Sequence, residues 1–94
     1  MNVEERIKLA DGVNYQSFGA DEDGVVLSLQ SGYLYRCNPA AIELLDRLRA
    51  GASLLELQSV LSDEFDVTAK QAQEDASSFV EQLLAESLAH RTAA

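Results

Sequence analysis

The chain contains a single proline, Pro39, and the pattern of apolar residues changes at this position. Before it, residues 33–37 (YLYRC) alternate in the manner of a β-strand, whereas after it Ile42 and Leu45 recur at helical spacing. Asn38 is a favourable N-cap, and proline is well tolerated as the first residue of a helix. The sequence therefore predicts a strand that passes directly into a helix, which restricts the folds that the chain can adopt.

Strand-like segments precede this junction. Residues 4–9 (EERIKL) alternate between charged and apolar side chains, and residues 25–30 (VVLSLQ) begin with β-branched residues and then alternate. A Ser-Gly pair at positions 31–32 is a hairpin signal that leads into the strand at 33–37. Residues 13–18 (VNYQSF) either continue the first strand or pair with it. The sequence thus predicts a three-stranded antiparallel sheet whose last strand lies at an edge.

Helix signals follow the junction. The first helix is expected to end at a glycine, and Ser53 with Glu56 forms a capping box that opens a second helix. Thr68 with Gln71 forms another capping box, which starts the longest helix, at about 68–88. A group of strands followed by three helices is typical of an α+β fold.

Length and composition fit one domain spanning residues 1–94. The apolar fraction of 47% is enough for a folded core, and the last residues, 90–94 (HRTAA), are expected to form a frayed tail. The single cysteine excludes an internal disulfide. The sequence shows neither a signal peptide nor an apolar run long enough to cross a membrane, so a cytoplasmic protein is expected.

The charge balance is strongly acidic. Sixteen acidic residues against seven basic ones give a net charge of −9. Nucleic-acid binders usually present a basic patch that displaces counterions from phosphate, whereas the basic residues of this chain are scattered. Neither nucleic acid nor a membrane is therefore expected as a partner.

The residue types that usually carry catalysis or bind metals are few and dispersed. His90 is the only histidine and belongs to the predicted tail, and Cys37 is expected to be a small apolar core residue rather than a reactive thiol. The acidic loop 21–24 (DEDG) lacks the alternating ligands of a calcium loop, and the twelfth position counted from Asp21 is Gly32 instead of a glutamate. The chain is therefore expected to be a binding protein and not an enzyme, without metal or other cofactor.

The strand at 33–37 suggests what is bound. Edge strands expose unpaired backbone N–H and C=O groups unless charges, proline or a cover protect them, and this strand carries only Arg36 as a charge. The long C-terminal helix is expected to lie beside it. An extended peptide can add to such an edge as a further strand. The alternative is an edge that is merely short and twisted, with Tyr33 and Tyr35 as ordinary core residues.

Several short motifs follow one another in a specific order. They are a Gly-x-x-x-x-Leu strand, Gly-Tyr-x-Tyr, Asn-Pro-Ala-Ala, a Gly-Ala-Ser turn and Glu-Phe-Asp-Val, which begin at positions 24, 32, 38, 51 and 64. Together they resemble the PqqD-like family, the recognition elements of ribosomally synthesised and post-translationally modified peptides, over residues 22–88. The family usually has leucine at the position of Cys37 and glycine at that of Ser87. Serine is less suited to a left-handed cap, so the last helix is expected to run on past Ser87.

The resemblance implies a winged helix-turn-helix-like fold of three strands and three helices. It also implies that the leader segment of a precursor peptide binds as an added strand between the third strand and the third helix. The strand residues that it implies for peptide binding are Tyr33, Leu34, Tyr35, Arg36 and Cys37. The helix residues are Asp75, Ser78, Phe79 and Gln82, with Val80 as a further candidate, because the phase of the helix face cannot be read from the sequence.

The implied partners are the precursor peptide and a leader peptidase or other modifying enzyme. The Asn-Pro-Ala-Ala helix start and the chain length look closest to the standalone leader-binding proteins of lasso-peptide biosynthesis, where the leader carries a Tyr-x-x-Pro element and a transglutaminase-like protease removes it. Two other functions stay open. One is a protein–protein adaptor or oligomerisation domain, including a homodimer through the open edge strand. The other is a winged-helix DNA-binding protein, which the absence of lysine and arginine from the second helix (SLLELQSVLSDEF) disfavours.

Overall fold

The computed structural model describes residues 5–92, which form strands and helices in the order expected for an α+β fold. The elements are β1 (Arg6–Leu9), β2 (Val13–Ser17), β3 (Gly24–Ser28), β4 (Leu34–Cys37), α1 (Pro39–Ala50), β5 (Ala52–Ser53), α2 (Leu54–Glu64), α3 (Ala69–Ala85) and β6 (Ala89–Arg91). The antiparallel meander β2-β3-β4 and the three helices give the winged helix-turn-helix-like arrangement that the family resemblance implies.

The strands are divided between two sheets, which differs from the single sheet expected. β2, β3 and β4 form one sheet, whereas β1 lies between β5 and β6 in another. Residues 13–18 therefore neither extend nor pair with the first strand; most of them form β2, the first strand of the meander. The alternation of β1 has a direct cause, because Ile7 and Leu9 are buried and the intervening Lys8 is exposed.

The predicted frayed tail is wrong for the described residues. His90 and Arg91 belong to β6, opposite Lys8 and Ile7 of β1, and the backbone N–H of Thr92 donates to the carbonyl oxygen of Arg6 at 2.9 Å. The segment looks like a tail because its side chains are exposed and polar, but it is held by backbone hydrogen bonds that any residue type can make. Residues 93 and 94 of the predicted tail, and residue 4 of the first predicted strand, lie outside the described residues.

The last helix ends earlier than predicted, at Ala85. Ser87 adopts a left-handed conformation with φ of 59°. Its backbone N–H donates to Leu84 O at 3.2 Å, and that of Leu88 donates to Leu83 O at 2.8 Å. This is the bonding pattern of a Schellman motif, which usually has glycine at the left-handed position. The expectation that serine lets the helix run on is therefore wrong, and burial of the Leu88 side chain offsets the strain.

Ser87→Gly is expected to raise the free energy of unfolding by about 1 kcal/mol, because glycine adopts positive φ without a steric penalty. Urea denaturation followed by circular dichroism measures the change. Ser59→Gly, an exposed position inside α2, is the matched control and is expected to lower stability by about 0.5 kcal/mol. Equal effects of the two substitutions would contradict the strain assigned to Ser87.

The helix starts agree with the sequence in most respects. The Asn38 side chain accepts from the backbone N–H of Ala41 at 2.8 Å, so β4 does pass directly into α1. Ser53 and Glu56 form the predicted reciprocal capping box. At α3 the Thr68 side chain caps the helix, but the Gln71 side chain donates to Asp75 instead of reaching back, so the second capping box is only half formed.

The core lies where the helices meet β1 and the inner face of the meander. Its most completely buried large side chains come from β1 and from all three helices: Ile7, Leu45, Leu48, Leu57 and Val80. The meander approaches α1 closely at Gly24, where an added Cβ would lie 2.6 Å from the Ile42 side chain. Because Gly24 also pairs with Cys37, this close approach sets the position of β4 relative to the helices.

Candidate functional site

β4 forms a free edge of the meander. The strand pairs with β3 on one side, and within residues 5–92 no strand pairs with its other side. The expected edge position is therefore confirmed in the described part of the chain. In its described part, the second sheet, which includes the N-terminal strand β1, contributes no strand that covers this edge.

The register shows which backbone groups of β4 face outward. The N–H of Ser28 donates to Tyr33 O at 3.0 Å, which makes these two residues a hydrogen-bonded pair. Such pairs alternate along an antiparallel ladder, so Tyr35 also directs its backbone groups toward β3. The N–H and C=O groups of Leu34 and Arg36 consequently point away from the sheet. These are the groups that a further strand could bind.

A groove separates this edge from α3. Its main part is a cavity of about 420 Å³ between the end of β4 and the middle of α3. The lining from β4 and α3 consists of Arg36, Cys37, Asp75, Ser78, Phe79 and Gln82. Apolar side chains of α1 and α2, among them Leu44 and Leu61, also line the cavity. The groove thus combines a free strand edge with apolar surface.

The groove continues toward the C-terminal end of α3. A smaller cavity of about 70 Å³ shares Phe79 and Gln82 with the main part and is bounded by Tyr35 and Glu86. The Tyr35 hydroxyl donates to the Glu86 carboxylate at 3.1 Å, which joins β4 to the end of α3. Desolvation raises the pKa of Tyr35 above its usual value, and the hydrogen bond to the negative Glu86 adds to the rise. The Tyr35–Glu86 contact therefore marks one end of the groove.

The structure determines the phase of α3 that the sequence leaves open. Asp75, Phe79, Gln82 and Glu86 lie on one stripe of the helix at the spacing of successive turns. Val80 is fully buried and contributes to the core, so the structure removes it from the candidate groove residues. Glu86 was not predicted from the sequence. It lies one turn beyond Gln82, and its position at the groove can be recognised once the face of α3 that lines the groove is known.

Two strand residues named from the sequence do not line the groove. Tyr33 precedes β4 and is 65% exposed, and its ring meets that of Tyr35 edge to face with 6.3 Å between centroids. The Leu34 side chain is 63% exposed and alternates to the face opposite Tyr35. Leu34 therefore offers backbone groups to the edge rather than a side chain to the groove. The reading of Tyr33 as an ordinary core residue is wrong.

Cys37 is half-buried on the groove wall. Burial raises the pKa of its thiol, a shift that the hydrogen bond with the Gly24 backbone opposes and the Asp23 carboxylate reinforces. A thiol with a raised pKa is a poor nucleophile at neutral pH. The position suits contact with a ligand better than covalent chemistry.

The opposite edge of the meander differs in character. A cavity of about 300 Å³ lies beside β2, but the side chains that line it include Lys8, Asp11 and Arg49. The Tyr15 hydroxyl donates to Asp46 and so ties β2 to α1. Desolvation and this hydrogen bond raise the pKa of Tyr15 to about 12. The groove beside β4 also contains charged residues, but Leu44, Leu61 and Phe79 give it more apolar surface, so the β4 edge is the better candidate for a guest with an apolar side chain.

Two further observations concern other classes of protein. Among residues 5–92, no three histidine, cysteine, aspartate or glutamate side chains are grouped so that they could hold a metal ion. None of the described helices has the length and apolarity needed to span a membrane.

Solved structures share this fold. The structure described as TbiB1 in complex with the TbiA(beta) leader peptide superposes with a TM-score of 0.76 at 22% identity, over 93% of this chain and 99% of that one. The lasso peptide synthetase B1 complexed with the leader peptide superposes with a TM-score of 0.73 at 23% identity, over 89% of this chain and 96% of that one. No curated protein sequence is significantly similar to the chain.

The sequence also matches a family model. The model of coenzyme PQQ synthesis protein D (PqqD) aligns with residues 23–89, which include the meander strands β3 and β4 and all three helices. These are the elements that build the free edge and the groove. The chain therefore belongs to the PqqD family.

Proposed function

We propose that the chain is a single peptide-recognition domain that binds the leader segment of a ribosomally synthesised precursor peptide as an added strand beside β4. The free edge of β4 directly beside an apolar groove is the observation that carries the proposal. Both structural neighbours are complexes with leader peptides, and one is a lasso peptide synthetase component, which supports a role in lasso-peptide biosynthesis.

The strand provides the main-chain contacts. The outward N–H and C=O groups of Leu34 and Arg36 bind the guest backbone, and each such hydrogen bond contributes about 1 kcal/mol net. The sequence of the guest affects these bonds little. They therefore supply affinity and register rather than selectivity.

The groove provides the selectivity. Side chains of the guest alternate, so every second one enters the groove and meets the lining from β4 and α3. Burial of an apolar or aromatic anchor against Phe79 contributes about 1.5–3 kcal/mol. Together these contributions offset the free energy of ordering a disordered leader, and about −8 kcal/mol corresponds to micromolar affinity.

The bound leader carries the rest of the precursor with it. A tethered substrate reaches a processing enzyme, such as a leader peptidase or another modifying enzyme, at a raised effective concentration. The chain itself binds and presents the precursor, and the chemistry belongs to its partner. In the absence of leader, the same edge is available to a second copy of the chain.

Fluorescence anisotropy tests the proposal. The probe is a fluorescein-labelled synthetic leader of the precursor peptide encoded beside the gene, titrated with the full chain, with a scrambled version of the same peptide as control. Saturable binding of the leader, at least tenfold tighter than that of the scrambled peptide, is expected. Equal affinity for both peptides, or salt-sensitive binding to duplex DNA instead, would overturn it.

Cys37 offers an intrinsic probe of the groove, because it is the only cysteine of the chain. Saturating leader is expected to slow alkylation of its thiol by iodoacetamide at pH 8.5 by about tenfold, since the guest strand covers the half-buried sulfur. Mass spectrometry of timed samples measures the rate, and the urea-unfolded chain gives the unprotected reference. An unchanged rate at saturation would place the leader elsewhere on the protein.

A further inference from the structure

The groove has an apolar middle and an acidic side chain at each end. Phe79 lines both cavities, while Asp75 lines only the main one and Glu86 only the smaller one. Asp75 and Glu86 are both exposed, and eleven positions separate them along the same stripe of α3. The charges are therefore set apart along the groove instead of forming one acidic cluster.

In the part of the chain that the structure describes, residues 5–92, no neighbouring cation neutralises either carboxylate. Asp75 accepts from the amide of Gln71 at 2.7 Å and Glu86 accepts from the hydroxyl of Tyr35, both neutral donors. Within the described residues, no ion pair involves either carboxylate. Both negative charges are consequently available to a guest.

Among residues 5–92, Arg36 is the one basic residue that borders the groove, and its charge does not balance the two carboxylates. Its guanidinium pairs with Asp23 at 3.3 Å and is 77% exposed. The Arg36 side chain alternates to the face of β4 opposite Tyr35, whereas Asp75 lies on α3 and Glu86 is the residue that caps the C-terminal end of α3. The α3 wall of the groove therefore stays negative, in a chain whose net charge is −9.

The spacing of the two carboxylates fits an extended peptide. Eleven helical positions span about 16 Å along the axis. A strand covers this distance in about five residues. Because only every second side chain enters the groove, the residues that reach the two ends are separated by about four or six positions.

We infer that the groove selects a leader segment with a lysine or arginine at each end of a short stretch whose central apolar residue contacts Phe79. The inference rests on the proposed strand addition and names its substrate class, a cationic amphipathic strand. The negative net charge also steers such a peptide toward the protein, so association slows as salt rises.

A displayed peptide library tests the substrate class. The probe is a phage library of twelve random residues, selected on the immobilised full chain at 150 mM salt and again on the double variant D75N/E86Q. On the unaltered chain, pairs of basic residues separated by four or six positions around an apolar residue are expected to be enriched, and the double variant is expected to lose this enrichment. The same pattern on both proteins, or none on either, overturns the inference.

Isosteric variants then measure each end separately. Asp75→Asn and Glu86→Gln keep the shape of the side chain and one acceptor oxygen, but replace the charged carboxylate with a neutral amide. Each is expected to weaken binding of the best selected peptide about two- to fivefold at 150 mM salt. Glu74→Gln, exposed on α3 but outside the groove, changes the net charge equally and is expected to have little effect. Equal effects of the three variants would mean that net charge alone, and not the position of the two carboxylates, determines the affinity. That result would overturn the inference.

The two proposals fail in different ways. Failure of strand addition means that Leu34→Pro leaves peptide binding unchanged. Failure of the charge inference alone means that Leu34→Pro still weakens peptide binding while D75N and E86Q behave like E74Q.

Discussion

Leu34→Pro is expected to weaken leader binding about 10- to 100-fold while leaving the domain folded. Proline removes the outward N–H of Leu34, and its ring occupies the position where the guest backbone approaches. The β3–β4 ladder does not use this N–H, because the hydrogen-bonded pairs of the ladder include Tyr33 and Tyr35. Proline is accordingly tolerated at such an edge position.

Two control variants separate backbone from side-chain effects. Leu34→Ala keeps the N–H and truncates an exposed side chain, so its affinity is expected to stay within about twofold of the original chain. Ser17→Pro places proline at an outward position on the opposite edge, in β2, and is expected to leave leader binding unchanged. Anisotropy measures affinity, and circular dichroism with urea denaturation checks that each variant is folded.

The outcome of these variants discriminates between binding modes. If Leu34→Ala lowers the affinity for leader as much as Leu34→Pro, the leader contacts the exposed side chain of Leu34 and does not pair with the strand. If Ser17→Pro is the damaging variant, the guest adds to β2 instead. A folded Leu34→Pro protein with unchanged affinity excludes pairing at β4 altogether.

Local signals predict the elements that create the groove. The side chain of Asn38 and the fixed geometry of Pro39 mark the passage from β4 into α1, and Ser53 with Glu56 marks the start of α2. These features are readable because each depends on residues within one turn of the chain. The edge position of β4 follows from the order of strands alone.

Features that depend on contacts between distant segments of the chain could not be predicted from the sequence. Nothing in the side chains of His90 and Arg91 indicates that they pair with β1, because a short strand with exposed side chains resembles a polar tail. The left-handed conformation of Ser87 could not be predicted for a related reason. Its strain is offset by the burial of Leu88, which depends on how the rest of the chain packs.

These two features also bear on the groove. The Schellman motif turns the chain at Ser87, and β6 then pairs with β1, so the C-terminal end of α3 is fastened to the second sheet. Val80 and Leu83 bury the inner face of the same helix. The α3 wall is thus held by the core and by β6, and it does not need the guest peptide to be ordered. Because this wall of the groove is already ordered, binding of the guest requires less free energy for ordering the protein.

Most of the groove residues could be named from the sequence, whereas two assignments required the three-dimensional packing of α3. The main cavity brings together six of the residues named from the sequence: Arg36, Cys37, Asp75, Ser78, Phe79 and Gln82. The exclusion of Val80 and the addition of Glu86 required the rotation of α3 about its axis, which depends on packing against the rest of the core.

Phe79→Ala is expected to weaken leader binding about 10- to 100-fold, as truncation of a central aromatic anchor commonly does. Phe79 lines both parts of the groove and packs against the edge of the core, where it is only partly buried. The same truncation is therefore expected to lower the free energy of unfolding by about 1–3 kcal/mol, less than for a fully buried phenylalanine. Anisotropy and urea denaturation measure the two effects on the same sample.

Phe65→Ala separates the two effects, because Phe65 is also a partly buried phenylalanine at the edge of the core but lies outside the groove, at the end of α2. It is expected to lower stability to a similar extent and to leave the affinity for leader unchanged. Loss of affinity in both variants would mean that binding follows global stability rather than contact with Phe79. Loss in Phe79→Ala alone, together with faster dissociation of the leader, would place the anchor of the guest strand against α3, because interface truncations act mainly on the dissociation rate.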